Sequence, residues 1–560
     1  MIFDYEDIED ASFDVNLPCD IKLLRIYADM LSKEECVKLI TSDYLESDDF
    51  DESLSLADIK NEILEIMYVA VREHNRRKGK AYRWSMPSGL YESQIADILI
   101  KKYHICRIAF TDDEENELLA LYQSEGVNEG IYVTRESIFN ELIRQFNYTI
   151  TSKSIQEVIA ILRDSVERNQ VCTDPDLIAF NNGIFNYKTK QLMPFSHEYI
   201  FLNKYKTDYN PFAKNVIIHN DEDGTDWDVE SWIAELSDDD EIVNVLWQVI
   251  GAVLRPNVSW NKAAFFFSTR GNNGKGTLCE LMRNIVGTGV YTSIPLSDFG
   301  KDFMLEGLIA KNAIIVDEND VGTFIDRAAN LKAVITNDVI FINRKFKMPI
   351  AYQPHCFMVH CLNELPRFKD ITDSFYRRQL FIPFDKCFTG HERKYIKDDY
   401  LKRQDVLEYV VYRVMNMPDY YTFDDSQSSD WLLAETKSRN NPVVEFWEVF
   451  HDQFVWDMLP ISFLYDLYKE WYKACYPSGN AISLSNFTDQ MKLVSDGWEF
   501  KEKGNPSSVH HHKMDMPEFL ISEYKLTNWM NPVYRGQDKN IICIPALKTQ
   551  YRNVLVRQVS

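Results

Sequence analysis

A chain of 560 residues with 45% hydrophobic and 26% charged content is too long for a single core and ordinary for folded domains, so three or four domains are expected. No apolar run reaches the length that spans a bilayer, since even residues 245–254 include Gln248, and no membrane partner is expected. The acidic opening does not read as a signal peptide, and the ten cysteines contain no C-x-x-C pair and read as reduced thiols.

The net charge of −25 is unevenly spread. Residues 1–60 hold 17 acidic and 5 basic side chains, residues 501–560 hold 9 basic and 5 acidic, and residues 331–350 hold 4 basic and 1 acidic. Phosphate contacts need local basic patches rather than a basic whole, so nucleic acid remains compatible with this balance.

In chain order, the first hundred residues mix helical periodicity with acidic runs such as residues 45–52. Residues 59–77 have the spacing of an amphipathic helix, followed by basic Arg76, Arg77, Lys78 and Lys80. Residues 135–170 are again helical in pattern, and residues 177–187 read as strand, turn, strand about Asn181-Asn182-Gly183. Residues 221–226 read as an acidic linker, and a helix is expected from 241 to about 254. Residues 262–385 alternate apolar strands with helical segments, which predicts an α/β domain with a largely parallel sheet. Residues 423–430 read as a second acidic linker. Beyond them, helices and then short strands such as residues 541–544 suit a small helix-plus-wing domain.

The candidate chemistry lies in the α/β segment. The apolar run Ala263 to Phe267 leads into Gly271-Asn272-Asn273-Gly274-Lys275-Gly276-Thr277 and then a helical pattern. Strand, Gly-rich loop and helix is the context of a P-loop, whose backbone N–H groups and helix N-terminus hold phosphates. Lys275 would reach the β and γ phosphates of ATP, and Thr277 would join the Mg²⁺ shell. The loop departs from G-x-x-x-x-G-K-[ST]: Thr269 replaces the first Gly, and Gly276 separates the Lys from the hydroxyl. The same G-K-G-T ending resembles adenylate kinases, so a small-molecule kinase is a third reading.

A second apolar run, residues 313–316, ends in Asp317-Glu318. At a strand's C-terminal end, Asp317 would hold the metal through water and Glu318 would act as general base. A third run, residues 356–362, ends in Asn363, which would contact the γ-phosphate or its water; its bland role is a turn starter before Pro366. Arg377 and Arg378 follow. Either would reach a neighbouring subunit's nucleotide, or simply pair with Asp370 or Asp373 on the surface.

The order Gly271-to-Lys275, Val316-Asp317-Glu318, the segment from Leu331 to Asp338, Asn363-to-Phe368 and Arg377-Arg378 resembles the superfamily 3 helicase core of phage and plasmid primase-helicases, shared by poxvirus primase-helicases. The resemblance covers roughly residues 170–390, including Asn182-Gly183 and Asp208-Tyr209-Asn210-Pro211 ahead of the core. It implies an AAA+-type P-loop ATPase core, a hexameric ring and translocation on single-stranded DNA in a bacterial host's cytoplasm, with origin DNA and other replication proteins as further partners. It also implies a pore hairpin from residues 339–347, with Lys332, Arg344, Lys345 and Lys347 contacting DNA phosphates and Phe346 stacking; a solvated hairpin is the bland alternative.

The expected division is therefore an acidic N-terminal domain at 1–135, a family-specific region at 136–222, the ATPase at 223–400, a linker at 401–435 and a winged-helix-like DNA-binding domain at 436–560. The N-terminal region lacks zinc-ribbon Cys pairs, and neither Asp49/Asp51 nor Asp174/Asp176 ends a clean strand. It is expected to recruit partners or brace the ring rather than prime. The adjacent His510, His511 and His512 read as a loop or wing tip, not a metal site. An origin-binding initiator whose ATPase only controls assembly is the main alternative function.

Overall fold

The computed structural model describes residues 26–558 except 31, 49, 111–116, 222, 321–323, 326–327, 369–371, 477–480 and 507–513. Asp49, Asp370 and the three histidines therefore lie outside the described residues.

A five-stranded, wholly parallel sheet sits at the centre of the chain. Its spatial order is Tyr291–Thr292, Ala313–Val316, Phe357–Leu362, Ala263–Phe267, Gln379–Pro383. Parallel strands are joined by crossovers that cover both faces, so their sequences are nearly continuous apolar runs. Alternation sorts the side chains: Ala264, Phe266, Ile315, Val359, Cys361 and Ile382 share one core, whereas Ala263, Phe265, Ile314, Val316, Met358 and Phe381 share the other. The first core holds the helices Asp240–Val253, Lys275–Val286 and Gln404–Met415. The second lies under the hairpin Ile340–Arg344/Lys347–Tyr352 and the helix Ala329–Ile335.

Described residues from Tyr27 to Val166 form a separate core. Ser55 accepts a hydrogen bond from the Asp58 N–H and starts the helix Leu56–Arg77, whose Ile59, Ile63, Ile66, Met67 and Ala70 stripe is buried. The helix Glu136–Phe146 packs against Leu56–Arg77, Ser152–Ser165 packs mainly against Glu92–Tyr103 in the same core, and Arg168–Gln170 pairs in parallel with Cys106–Ala109. The boundary expected at 135 is thus displaced to about 170: Phe139, Leu142, Ile143 and Leu162 bury their apolar faces with the helices before them. A three-stranded unit follows, in which Leu177–Phe180 and Gly183–Asn186 turn at Asn181 and Asn182 as read from the sequence. Of the expected linker at 221–226, Thr225 and Asp226 belong to the second strand of the hairpin Ile218–Asn220/Thr225–Trp227, and Asp221, Asp223 and Gly224 lie at its turn.

The linker expected at 401–435 is folded. Val406, Leu407, Val410 and Val414 of Gln404–Met415, with Tyr420 and Phe423, join the first core of the sheet. The acidic run misled because loop-forming residues also cap helices: the Ser426 hydroxyl accepts from Ser429 N–H at the start of Gln427–Arg439, and Asp424 accepts from Asn244 (2.7 Å).

From Pro442 the element order is helix Pro442–Phe450, strand Met458–Pro460, helices Ile461–Cys475 and Leu484–Val494, strand Trp498–Lys501, short helices Leu520–Glu523 and Lys539–Ile542, and strand Val554–Arg557. The last strand lies between the other two, antiparallel to both. Residues 541–544 are not a strand. Asp538 caps the short helix Lys539–Ile542, and Cys543 is buried behind it.

Candidate nucleotide site

The strand Ala263–Phe267, which leads into the glycine-rich loop, ends at the same edge of the sheet as Ala313–Val316, with only Phe357–Leu362 between them. Two inter-strand spacings put these strand ends roughly 10 Å apart. Lys275, Asp317-Glu318 and Asn363 therefore gather along one C-terminal rim, where α/β sheets take ligands.

Gly274 caps the helix Lys275–Val286 with φ +89°, and an added Cβ would lie 2.5 Å from Leu236 Cδ2. The positive φ favours glycine there, while the Leu236 methyl is the end of a flexible side chain. Gly276 has open space around its missing Cβ, so its departure from the consensus is not sterically imposed. The Asn273 side chain accepts from the Lys275 N–H (3.3 Å) and donates to Arg270 O. Asn272 N–H₂ donates to Glu392 (3.0 Å), and Gly271 and Thr269 are exposed.

Lys275 is buried. Its Nζ donates to Leu362 O (2.7 Å), Asn363 Oδ1 (2.9 Å) and Ser268 O (3.3 Å). Every one of these partners is neutral. Burial pulls the ammonium below the usual lysine range, and no carboxylate offsets it. A buried cation at a helix N-terminus without a counter-ion is an anion site in waiting.

Asp317 is engaged differently. Arg283, eight residues after Lys275 on the same helix, donates to its two oxygens at 2.8 and 3.1 Å. The guanidinium holds the Asp317 carboxyl below the usual carboxylate range. Glu318 is exposed beside it. Asn319 ties this edge together, donating to Cys361 O (3.0 Å) and accepting from Leu296 N–H (3.0 Å).

A cavity of about 350 Å³ opens beside the loop, lined by Asn272, Gly274 and Thr277, by apolar Trp232, Leu236, Phe388 and Ile396, and by Arg393, Lys394 and Lys397. Arg283 and this apolar wall were missed in the sequence. Arg283 carried no motif signal, and the wall comes from segments more than a hundred residues apart.

Arg377 is exposed at the end of the short helix Asp373–Tyr376 and makes no ion pair among the described residues. Asp373, one of its sequence-based alternatives, pairs instead with Lys437 (3.0 Å). Arg378 is half-buried, and its Nη1 donates to Ser374 O. On the hairpin, Arg344 Nε donates to Met348 O (3.1 Å), Lys345 is exposed, and Phe346 is 96% exposed at the tip. Lys332 sits half-buried on the preceding helix, and the Lys347 side chain lies outside the described residues.

Fold and site together define a multidomain α/β protein with a glycine-rich loop at the rim of a parallel sheet. Residues 266–378 match a family of unknown function, DUF5906. Residues 56–236 match the family described as D5 N terminal like, and residues 438–526 match Poxvirus D5 protein-like. No curated protein matches. Three solved structures of the NrS-1 C-terminal region, all in apo form, align at 13% identity and a TM-score of 0.40; they cover 83, 84 and 73% of this chain and 99, 100 and 95% of their own. The two D5-like matches flank the sheet domain along the chain, one ahead of it and one after it. The D5-like match begins at residue 56, well ahead of the Phe180 segment on which the sequence resemblance began.

Proposed function

We propose that this chain is an ATP-driven DNA helicase of superfamily 3, an AAA+-type motor that hydrolyses ATP between the subunits of a hexameric ring and draws single-stranded DNA through it. The observation that carries the reading is the buried Lys275 ammonium, held by three neutral oxygens at a helix N-terminus and facing no carboxylate. A triphosphate supplies the missing charge.

The residues fit Mg²⁺-ATP. Lys275 and the backbone N–H groups of residues 271–277 bind the phosphates. The cavity wall of Trp232, Leu236 and Phe388 takes the nucleoside end. Thr277 and Asp317 would hold the metal, which would supply charge neutralisation at the phosphates. Glu318 accepts a proton from the attacking water. Asn363, already hydrogen-bonded to Lys275, orients that water and relays the phosphate's presence to its strand. Arg377, exposed and without an ion pair among the described residues, stabilises transition-state charge in a neighbouring subunit, while Arg378 braces the backbone of its own helix.

The acidic strand stands one removed from the P-loop strand, with the Asn363 strand between, which favours this reading over a small-molecule kinase. The exposed Phe341, Phe346 and Met348 with Arg344 and Lys345 give the hairpin a surface suited to stacking and phosphate contact. The helix–strand–helix–helix–strand order from residue 442, closed after two further short helices by the strand Val554–Arg557, supports a winged-helix-like unit for duplex or origin DNA. Strand displacement on a forked duplex, run with mass measurement in the presence of a slowly hydrolysed ATP analogue, tests the proposal. A ring that separates strands only with hydrolysable ATP is expected. An assembly that forms yet opens duplex without turnover would favour the initiator reading.

A further inference from the structure

The helix that opens with Lys275 carries a second cation into the same rim, and the two are used differently. Lys275 meets only neutral oxygens. Arg283 is committed to a carboxylate: its Nη2 lies 2.8 Å from Asp317 Oδ1 and its Nη1 3.1 Å from Oδ2, a two-pronged pair, and Nη2 also donates to Ile315 O (3.3 Å). Arg side chains on a helix lean toward its N-terminus, which lets Arg283 reach back to the strand end from two turns along. A second acceptor waits on the same helix, three residues earlier, with Glu280 Oε2 at 3.7 Å from Nη1.

We infer that Arg283 is a positioning residue that latches Asp317 before a divalent cation arrives and competes with that cation for the carboxylate. This rests on the metal role proposed above for Asp317. A carboxylate at this half-buried edge, left without a cation, would turn to Lys275 and neutralise the charge kept for phosphate. Arg283 prevents that by holding both carboxylate oxygens in its planar fork. When magnesium nucleotide loads, Asp317 passes from the guanidinium to the ion's water shell, and Arg283 passes to Glu280. Metal entry is then an exchange of partners and is weak until phosphate oxygens add their own ligands.

The probe is Mn²⁺ alone, followed by electron paramagnetic resonance on the nucleotide-free, full-length protein. Arg283→Gln is expected to bind Mn²⁺ about tenfold more tightly than wild type, because the competing cation is gone. The double variant Arg283→Gln/Asp317→Asn is expected to return to the wild-type value or below. Glu280→Gln, which removes the second acceptor and leaves Arg283 on Asp317, should leave nucleotide-free binding unchanged and weaken Mn²⁺ uptake in the presence of ATP. Mn²⁺ affinity that is equal or weaker in Arg283→Gln overturns the latch. If Arg283→Gln does not fold, unchanged ATP-dependent uptake in Glu280→Gln overturns it instead. If Asp317→Asn leaves ATP-dependent Mn²⁺ uptake untouched, the metal role itself fails, a result distinct from failure of the latch.

Discussion

Lys275 and Gly274 show how closely the phosphate loop is determined by single residues. Lys275 lost to alanine removes the buried cation, and ATP turnover should fall by roughly 100-fold or more while the fold survives, because its present partners are backbone carbonyls and one amide. The two unusual glycines should behave oppositely. Gly274→Ala meets both a left-handed backbone and Leu236, so nucleotide affinity and about 1–3 kcal/mol of stability should be lost together, read by ATP titration and urea unfolding. Gly276→Ser has room, restores the consensus hydroxyl next to the Lys, and should retain binding in the same titration. At this scale the sequence was legible where a residue type has one use: a glycine before a lysine, an acidic pair after an apolar strand. It was mute about Arg283 and Asn319, whose roles arise from a helix and two strands meeting.

The hairpin expected over residues 339–347 runs further: its first strand and turn lie there, but its second strand continues to Tyr352, with Ile340, Ile342 and Ile350 buried while Phe341, Phe346 and Met348 stand in solvent. If it grips DNA, Lys345→Ala should lower the salt slope of single-stranded DNA binding by about 0.7, and Phe346→Ala should weaken binding with the slope intact. Equal slopes for wild type and Lys345→Ala would remove the hairpin from the interface. The helix Gln427–Arg439 was misread as following a linker for a physical reason. Ser and Asp are favoured in loops and at N-caps alike, and only the burial of Leu432 and Thr436 tells which is realised.

Among the described residues, the largest bodies of core are residues 27–166, the sheet with both its faces, and residues 443–555, with two small clusters joining the first strands to residues 179–201. Domain limits were the least legible feature, because a boundary depends on which apolar faces meet rather than on local composition. The C-terminal core has its own pH signature. Burial raises the Glu518 carboxyl to about 7, although it accepts the Val455 N–H at 2.9 Å. A raised carboxyl contributes stability that is complete below its unfolded value and is lost as pH rises toward 7. Melting of this region should therefore weaken between about pH 4.5 and 7, by up to about 3 kcal/mol, and Glu518→Gln should flatten the profile. If the proposed ring forms, Arg377→Ala protein should bind ATP normally yet, mixed with wild type, depress hydrolysis more than dilution explains. Strict additivity in the mixture would mean that Arg377 serves its own subunit or none.

The most direct measurement is ATP hydrolysis by wild type and Lys275→Ala, each with and without single-stranded DNA. The account predicts turnover in the wild type that DNA accelerates, and near-background rates in the variant under both conditions. Wild-type turnover persisting in Lys275→Ala, or no hydrolysis by the wild type with DNA present, would contradict it.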